Sequence, residues 1–287
     1  MQHSSTHNQV TISAMYKFID KPDCADYQAP LKARMVERDV RGTLILAPEG
    51  LNGTISGPQA SIEDILSYLE NDLGYGEIEH KESYHETHPF YRTKVKLKKQ
   101  ILPFDAEVAP RVCVGTYVAP KDWNAIISQP DVVNIDTRNG YEVHIGTFKG
   151  ALNPDTKNFR EMVEWTAKHL DPAKHRKVAM FCTGGIRCEK YSSYLLDIGF
   201  EEVFHLRGGI LKYLEEIPES ESLWEGSCFV FDERIAVKHG LEVDEEVRMC
   251  KACGHPLLPY EMSLKELTET RRCLHCEGKP EEWKQRG

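Results

Sequence analysis

Apolar and polar residues alternate over the first hundred residues in a pattern that predicts a small mixed domain. The predicted strands are residues 11–19 (TISAMYKFI), Gly42–Leu46, Thr54–Ser56, Glu77–Glu82 and Thr93–Lys98. The predicted helices are Ala29–Val40 and Ser61–Leu73, the second with Ser61 as its N-cap. This β-α-β-β-α-β order is typical of a ferredoxin-like (acylphosphatase-like) domain, which we expect over residues 10–102.

In residues 112–222, short apolar runs alternate with helical stretches. The predicted strands are VVNID, VAMF and VFHL at 132–136, 178–181 and 203–206, and the predicted helices are Phe159–His169 and Glu189–Ile198. This alternation predicts an α/β domain with a mostly parallel sheet, in which functional residues gather where strands end. Around the two domains we expect a polar tail (1–9), a linker (103–111) and a less periodic C-terminal segment (223–287).

The composition is that of a folded, water-soluble protein. The chain has 287 residues, of which 40% are hydrophobic, but no apolar run is long enough for a membrane span, and its polar start does not resemble a signal peptide. We therefore expect a cytoplasmic protein without a membrane partner. The net charge of −9 argues against a uniformly basic nucleic-acid surface but leaves room for a local basic groove.

The C-terminal segment carries two C-x-x-C pairs separated by 19 residues, Cys250/Cys253 and Cys273/Cys276. This spacing predicts a tetrahedral zinc site with four cysteine ligands, and a site filled by protein ligands is structural. The alternative is a set of disulfides or oxidised thiols. The adjacent His255 and His275 are poorer candidates for ligands.

The most reactive cysteine is predicted in the segment that joins strand VAMF to the next helix. Cys182 is followed by two glycines, which allow successive backbone N–H groups to point into one concavity. The helix N-terminus and the Arg187 cation then lower the pKa of the thiol towards neutrality. The predicted anion-binding loop consists of Cys182, Thr183, Gly184, Gly185, Ile186 and Arg187.

Several nearby residues have two interpretations. Cys188, on the first turn of the helix, either resolves an oxidised or persulfide form of Cys182 or is a packed thiol. Asp136 and Arg138 either support the loop or form a buried structural ion pair. His144 is either an acid/base group or a structural histidine.

The motifs around Cys182 resemble those of the rhodanese superfamily. The segments that carry the resemblance are CTGGIR, IDTRNGYEVHIGTFKGALN (135–153) and HLRGGILKY (205–213). Rhodanese-related phosphatases have a loop one residue longer between Cys and Arg. The four residues between Cys182 and Arg187 therefore suit a sulfur- or oxygen-sized ligand better than phosphate.

The longer motifs CTGGIRCEK, GTYVAPKDWN (115–124) and WEGSCFVFDERIAV (224–237) are similar to those of the rhodanese-containing tRNA uridine hydroxylases. This resemblance implies oxygen-dependent conversion of the wobble uridine (position 34) to 5-hydroxyuridine, with Cys182 essential and the tRNA anticodon loop as partner. Molecular oxygen is then a co-substrate. No motif indicates a flavin, haem or nucleotide cofactor, no His/His/carboxylate iron site is evident, and no DNA partner is expected.

The same residues are compatible with two other functions. One is a persulfide sulfurtransferase with a small-molecule or protein acceptor, and the other is a non-enzymatic redox or metal-binding adaptor. The densest basic cluster consists of Arg92, Lys94, Lys96, Lys98 and Lys99. These residues either bind RNA phosphates or belong to an edge strand whose charged side chains are solvated. Arg271 and Arg272 are a second candidate.

Overall fold

The computed structural model describes residues 9–264 and 273–276, and the chain divides into two compact units between Pro103 and Phe104. Almost all of the predicted polar tail, and the pair Arg271 and Arg272, lie outside the described residues. None of the helices in the described part of the chain is long and apolar enough to cross a lipid bilayer.

The first unit is a five-stranded sheet with two helices. Its elements in chain order are β1 (Val10–Phe18), α1 (Cys24–Glu37), β2 (Arg41–Ala47), β3 (Gly50–Gly57), α2 (Gln59–Ser67), β4 (His80–His85) and β5 (Thr93–Leu97). The strand order is β4-β1-β3-β2-β5, with β5 parallel to β2 and the other neighbours antiparallel. Apolar residues of both helices pack with those of the strands in one core, as in the predicted ferredoxin-like fold.

Two helix boundaries in the first unit were predicted wrongly. Helix α1 begins at Cys24 rather than Ala29, because buried Cys24 lies two turns before buried Leu31 and extends the apolar face. Helix α2 has Pro58, not Ser61, at its N-cap, and its last predicted residues form a π-helical turn, Tyr68–Asp72.

The second unit is built on a parallel sheet. Its elements are β6 (Thr116–Val118), α3 (Pro120–Ile127), β7 (Val132–Asp136), α4 (Gly140–Val143), β8 (Gly146–Phe148), α5 (Met162–His169), β9 (Lys177–Phe181), α6 (Ile186–Asp197), β10 (Glu202–Leu206), α7 (Gly209–Glu216), β11 (Trp224–Gly226), β12 (Cys228–Phe229), β13 (Ala236–Val237), β14 (Arg248–Met249), β15 (Pro256–Leu257) and α8 (Pro259–Met262). The sheet order is β6-β10-β9-β7, and all three pairings are parallel. The predicted fold class is confirmed.

The segment predicted as a linker, residues 103–111, contains no helix or strand. Within it, Phe104 is buried and stacks on Phe159 at a centroid distance of 4.9 Å. This contact places Phe104 in the core of the second unit.

Candidate functional site

Cys182 directly follows β9, an interior strand of the parallel sheet, and lies at its carboxyl end. The loop turns into α6 through Gly185, whose φ of 102° is favourable only for glycine and whose N–H lies 3.1 Å from the Cys182 sulfur. Gly184 has no such φ, and a side chain there would meet open space. Only the second glycine is therefore required by the backbone.

Helix α7 holds the loop from the other side. The N–H of Ile210 donates to the Cys182 carbonyl at 2.9 Å, and the N–H of Leu211 donates to the Thr183 carbonyl at 3.1 Å. A Cβ at Gly209 would lie 2.5 Å from both carbonyl oxygens. Glycine at this position therefore allows the close approach of helix and loop, a role that the sequence analysis did not assign.

The surroundings of Cys182 stabilise its thiolate. Burial by itself raises the pKa of this thiol, which is 1% exposed, but several groups oppose it. A hydrogen bond with the Cys188 thiol, the charge of Arg187 and backbone N–H groups of Arg187 and Gly185 lower the pKa of Cys182 to about 6. At neutral pH the site thus holds a thiolate.

Cys188 behaves in the opposite way. It is fully buried on the first turn of α6, and burial together with the adjacent Cys182 raises its pKa well above the ordinary value. Its sulfur lies 3.8 Å from Thr137 Oγ1, which donates to the Phe181 carbonyl. Cys188 therefore stays protonated and is the hydrogen-bond donor of the thiol pair.

The Arg187 guanidinium is already paired. It forms two hydrogen bonds with the Glu142 carboxylate, of 2.6 and 2.8 Å, and Glu142 is fully buried. Glu142 was not predicted to bind Arg187, although its position six residues after Asp136, in a D-x-R-x-x-x-E pattern, was an available signal. Pairing with Glu142 leaves Arg187 less able to bind a large anion.

Asp136 and Arg138 form a second, fully buried ion pair. Arg138 Nη2 lies 2.7 Å from Asp136 Oδ2 and also donates to the Gly146 carbonyl at 2.6 Å. Thr147 Oγ1 donates to the same carboxylate. These contacts join the end of β7 to β8, so the role of the ion pair is to stabilise the packing of these two strands.

An exposed aromatic side chain lies beside Arg187. The ring of Phe231 is 57% exposed, and its centroid is 5.9 Å from the Arg187 guanidinium carbon. Phe231 lies in the turn between β12 and β13. An ion pair between Asp232 and Arg234 stabilises this turn, and Ile235 in the same turn has a φ of 66°, which is rare for a β-branched residue. No motif in the sequence predicted a functional role for Phe231.

The remaining loop residues are half-buried or nearly buried. Thr183 Oγ1 is buried and accepts or donates no hydrogen bond within the described part of the chain, while Ile186 is half-buried at the start of α6.

The predicted basic cluster lies on and beside β5, the edge strand of the first unit. Arg92, Lys96, Lys98 and Lys99 are exposed and Lys94 is half-buried. Burial, then the charges of Lys96 and Arg92, lower the pKa of Lys94, so these side chains share one electrostatic neighbourhood.

The four C-terminal cysteines come together in space. The sulfur separations are 3.7 Å for Cys250/Cys276, 3.6 Å for Cys253/Cys273 and 3.7 Å for Cys273/Cys276. Tetrahedral coordination with metal–sulfur bonds of about 2.3 Å sets neighbouring sulfurs about 3.8 Å apart. All four are free thiols, and the cluster can hold one metal ion.

Two family models match the chain. Residues 10–101 match the UPF0176 acylphosphatase-like domain, and residues 119–216 match the rhodanese-like domain. Similar solved structures include a rhodanese-like domain from Anabaena (17% identity, 38% of this chain and 78% of that chain, TM-score 0.32). They also include an acylphosphatase from Coxiella burnetii (12% identity, 33% of this chain and 100% of that chain, TM-score 0.24).

The two matched domains agree in position with the two units of the structure. The resemblance noted at Cys182 lies inside the rhodanese match, and the ferredoxin-like unit coincides with the acylphosphatase-like match. The chain therefore has the domain architecture of the UPF0176 family, an acylphosphatase-like domain followed by a rhodanese-like domain.

Proposed function

We propose that this protein hydroxylates C5 of the wobble uridine of tRNA in an oxygen-dependent reaction, with Cys182 as the catalytic thiolate. The observation that carries the proposal is a buried thiolate whose loop cation, Arg187, is neutralised by Glu142. Such a loop favours a small group over a phosphate. Together with the CTGGIRCEK motif and the N-terminal domain, this chemistry supports a hydroxylase.

The proposed reaction uses both oxygen atoms of O₂ and needs two electrons. One oxygen atom of O₂ enters the base at C5, and the other leaves as water with two protons and two electrons, which we assign to a thiol reductant. Because Cys182 is 1% exposed, its sulfur is poorly placed for direct attack on a base at the loop mouth. An atom bound to the sulfur extends further towards the base than the sulfur itself. This favours a persulfide or an oxygenated sulfur as the reactive form of Cys182 over direct attack of the thiolate on C6 of the uridine.

The substrate assignment rests on two further features. A wobble uridine lies in a single-stranded loop and can be turned out and stacked on an aromatic ring, and Phe231 offers such a ring beside Arg187. The basic cluster on β5 offers cations for RNA phosphates.

The four-cysteine cluster is proposed to hold structural zinc. Four thiolates at tetrahedral spacing leave no open coordination position, so the ion would stabilise a segment with a small core of its own.

Nucleoside mass spectrometry tests the function. We expect tRNA from cells lacking the protein to lose 5-hydroxyuridine derivatives at position 34, and the wild type but not Cys182→Ser to restore them. With purified protein, unmodified tRNA and ¹⁸O₂, the heavy isotope should enter the base. Unchanged uridine modification in the deletion strain would contradict the proposal.

A sulfurtransferase is the second candidate, because a thiolate in a rhodanese-type loop also accepts sulfane sulfur. Thiosulfate-dependent sulfur transfer that is lost in Cys182→Ser, with unchanged tRNA nucleosides, would favour it. If the protein is a non-enzymatic adaptor, neither tRNA hydroxylation nor sulfur transfer depends on Cys182.

A further inference from the structure

Beside the four-cysteine cluster, three imidazole rings lie close together, and two of them contact one carboxylate. The members of this histidine–glutamate cluster are His144, His255, His275 and Glu261. They come from separate parts of the second unit, because His144 follows α4 of the rhodanese-like domain and the others belong to the C-terminal segment. Sequence spacing alone therefore did not reveal them as a set.

The separations within the cluster match those of metal ligands. His144 Nε2 lies 2.8 Å from Glu261 Oε2, and His275 Nε2 lies 3.0 Å from Glu261 Oε1. Ligands bound at about 2.1 Å and at right angles are about 3.0 Å apart. The ligand atoms of the three histidines lie within 4.8 Å of one another.

The charges of the cluster also favour a cation. Glu261 is 4% exposed, and the described groups that contact its carboxylate are His144, His275 and the Leu258 N–H. A buried carboxylate is costly unless it is paired with a positive charge. The side chains of His144 and His275 are 23% and 32% exposed, so an ion can enter from solvent.

The cysteine cluster holds two of the histidines in place. His255 follows the first cysteine pair by two positions, and His275 lies within the second pair. The rings of His255 and His275 stack at a centroid distance of 3.6 Å, and that of His144 lies 4.9 Å from His275. A metal bound by the cysteines would thus hold His275 beside His144 and Glu261. Because the lone pair of a ring nitrogen lies in the ring plane, the parallel stack excludes His255 and His275 from binding the same ion in this arrangement, so the ligands from this cluster are His144, His275 and Glu261.

We propose that the histidine–glutamate cluster is a second metal site, which takes a divalent first-row transition ion such as Zn²⁺ or Fe²⁺. Imidazole and carboxylate ligands suit these ions, and the mixed set differs from the all-thiolate site beside it. The proposal does not depend on the reaction at Cys182. If the ion is iron(II), the site is of the kind that binds oxygen; if it is zinc, it joins the C-terminal segment to α4.

Metal analysis of the full chain tests the site. Protein is dialysed against Zn²⁺ alone or, without oxygen, against Fe²⁺ alone, and bound metals are counted by mass spectrometry. The variants are His144→Gln and Glu261→Gln, and the matched control is His169→Gln, a solvent-facing histidine that stacks on Trp165. We expect two ions in wild type and control, one ion in each cluster variant, and at least a tenfold weaker second affinity.

The two dialyses show which ion the second site binds. Two bound ions after the Zn²⁺ dialysis show that the second site accepts zinc, and two bound ions after the Fe²⁺ dialysis show that it accepts iron. The zinc that remains in the cluster variants shows that the C-terminal segment is folded. One ion in wild type under both conditions overturns the proposal. So does loss of both ions from His144→Gln and Glu261→Gln alike, which would make the cluster a structural hydrogen-bond network.

Discussion

Arg187 and Glu142 form a two-point ion pair directly beside the reactive thiol, with N–O distances of 2.6 and 2.8 Å. Arg187 lies in the first turn of α6, directly after the loop that follows β9, and Glu142 comes from α4. The pair therefore ties the loop to the neighbouring strand ends. It also keeps a cation near Cys182 without offering a free guanidinium to a large anion.

We expect Glu142→Gln to destabilise the protein strongly. Both side chains of the pair are buried, so the substitution removes the carboxylate that neutralises the Arg187 cation, at a cost of about 3–5 kcal/mol. Urea unfolding followed by circular dichroism measures the loss. Glu164→Gln is the control, because its ion pair with Lys168 is exposed to solvent and its loss should change stability very little. Equal effects of the two substitutions would contradict this account.

The Cys182 thiol should titrate near pH 6. Its folded pKa is lowered, so the thiolate is present above that pH and is lost as the pH falls through it. The measurement is the difference in thiolate absorbance between wild type and Cys182→Ser across the pH range. Cys188→Ala removes a hydrogen-bond donor to the thiolate, so its midpoint should be higher. A wild-type midpoint above pH 8 would rule out the proposed stabilisation.

Phe231→Ala should weaken substrate binding without unfolding the protein. The ring is 57% exposed, so its removal creates little cavity, whereas base stacking contributes about 1–3 kcal/mol. The KM for tRNA should therefore rise by about fivefold to about a hundredfold, with an unchanged melting temperature. Phe231→Trp keeps a stacking surface and is expected to retain the wild-type KM. An unchanged KM in Phe231→Ala would remove Phe231 from the substrate site.

The fold was predictable because its signals are local. Strand β7 coincides with the predicted residues 132–136, and the predicted runs for β9 and β10 lack only their first residues. Each is a short apolar run bounded by polar residues, and the alternation with helices indicates a parallel sheet. The turn at Gly185 was likewise predictable from glycine chemistry.

The completed site was less predictable because its contacts join distant parts of the chain. Glu142 lies 45 positions before Arg187, and Glu261 lies 117 positions after His144. Gly209 matters only because α7 packs against the Cys182 and Thr183 carbonyls, which periodicity does not reveal. Phe231 is one of ten phenylalanines, and its exposure depends on the turn after β12.

The basic cluster on β5 should contribute to tRNA affinity through phosphate contacts. If Lys96 and Lys98 each neutralise one phosphate, replacing both with Gln should lower the slope of log affinity against log salt by about 1.4–1.8 in total. Lys32→Gln on α1 is the matched control, since it removes an exposed positive charge from the same unit outside the cluster. Titration of labelled tRNA at several salt concentrations measures the slopes. If the double variant and the control have equal slopes, β5 is a solvated edge strand whose lysines prevent strand pairing, and the RNA phosphates bind elsewhere.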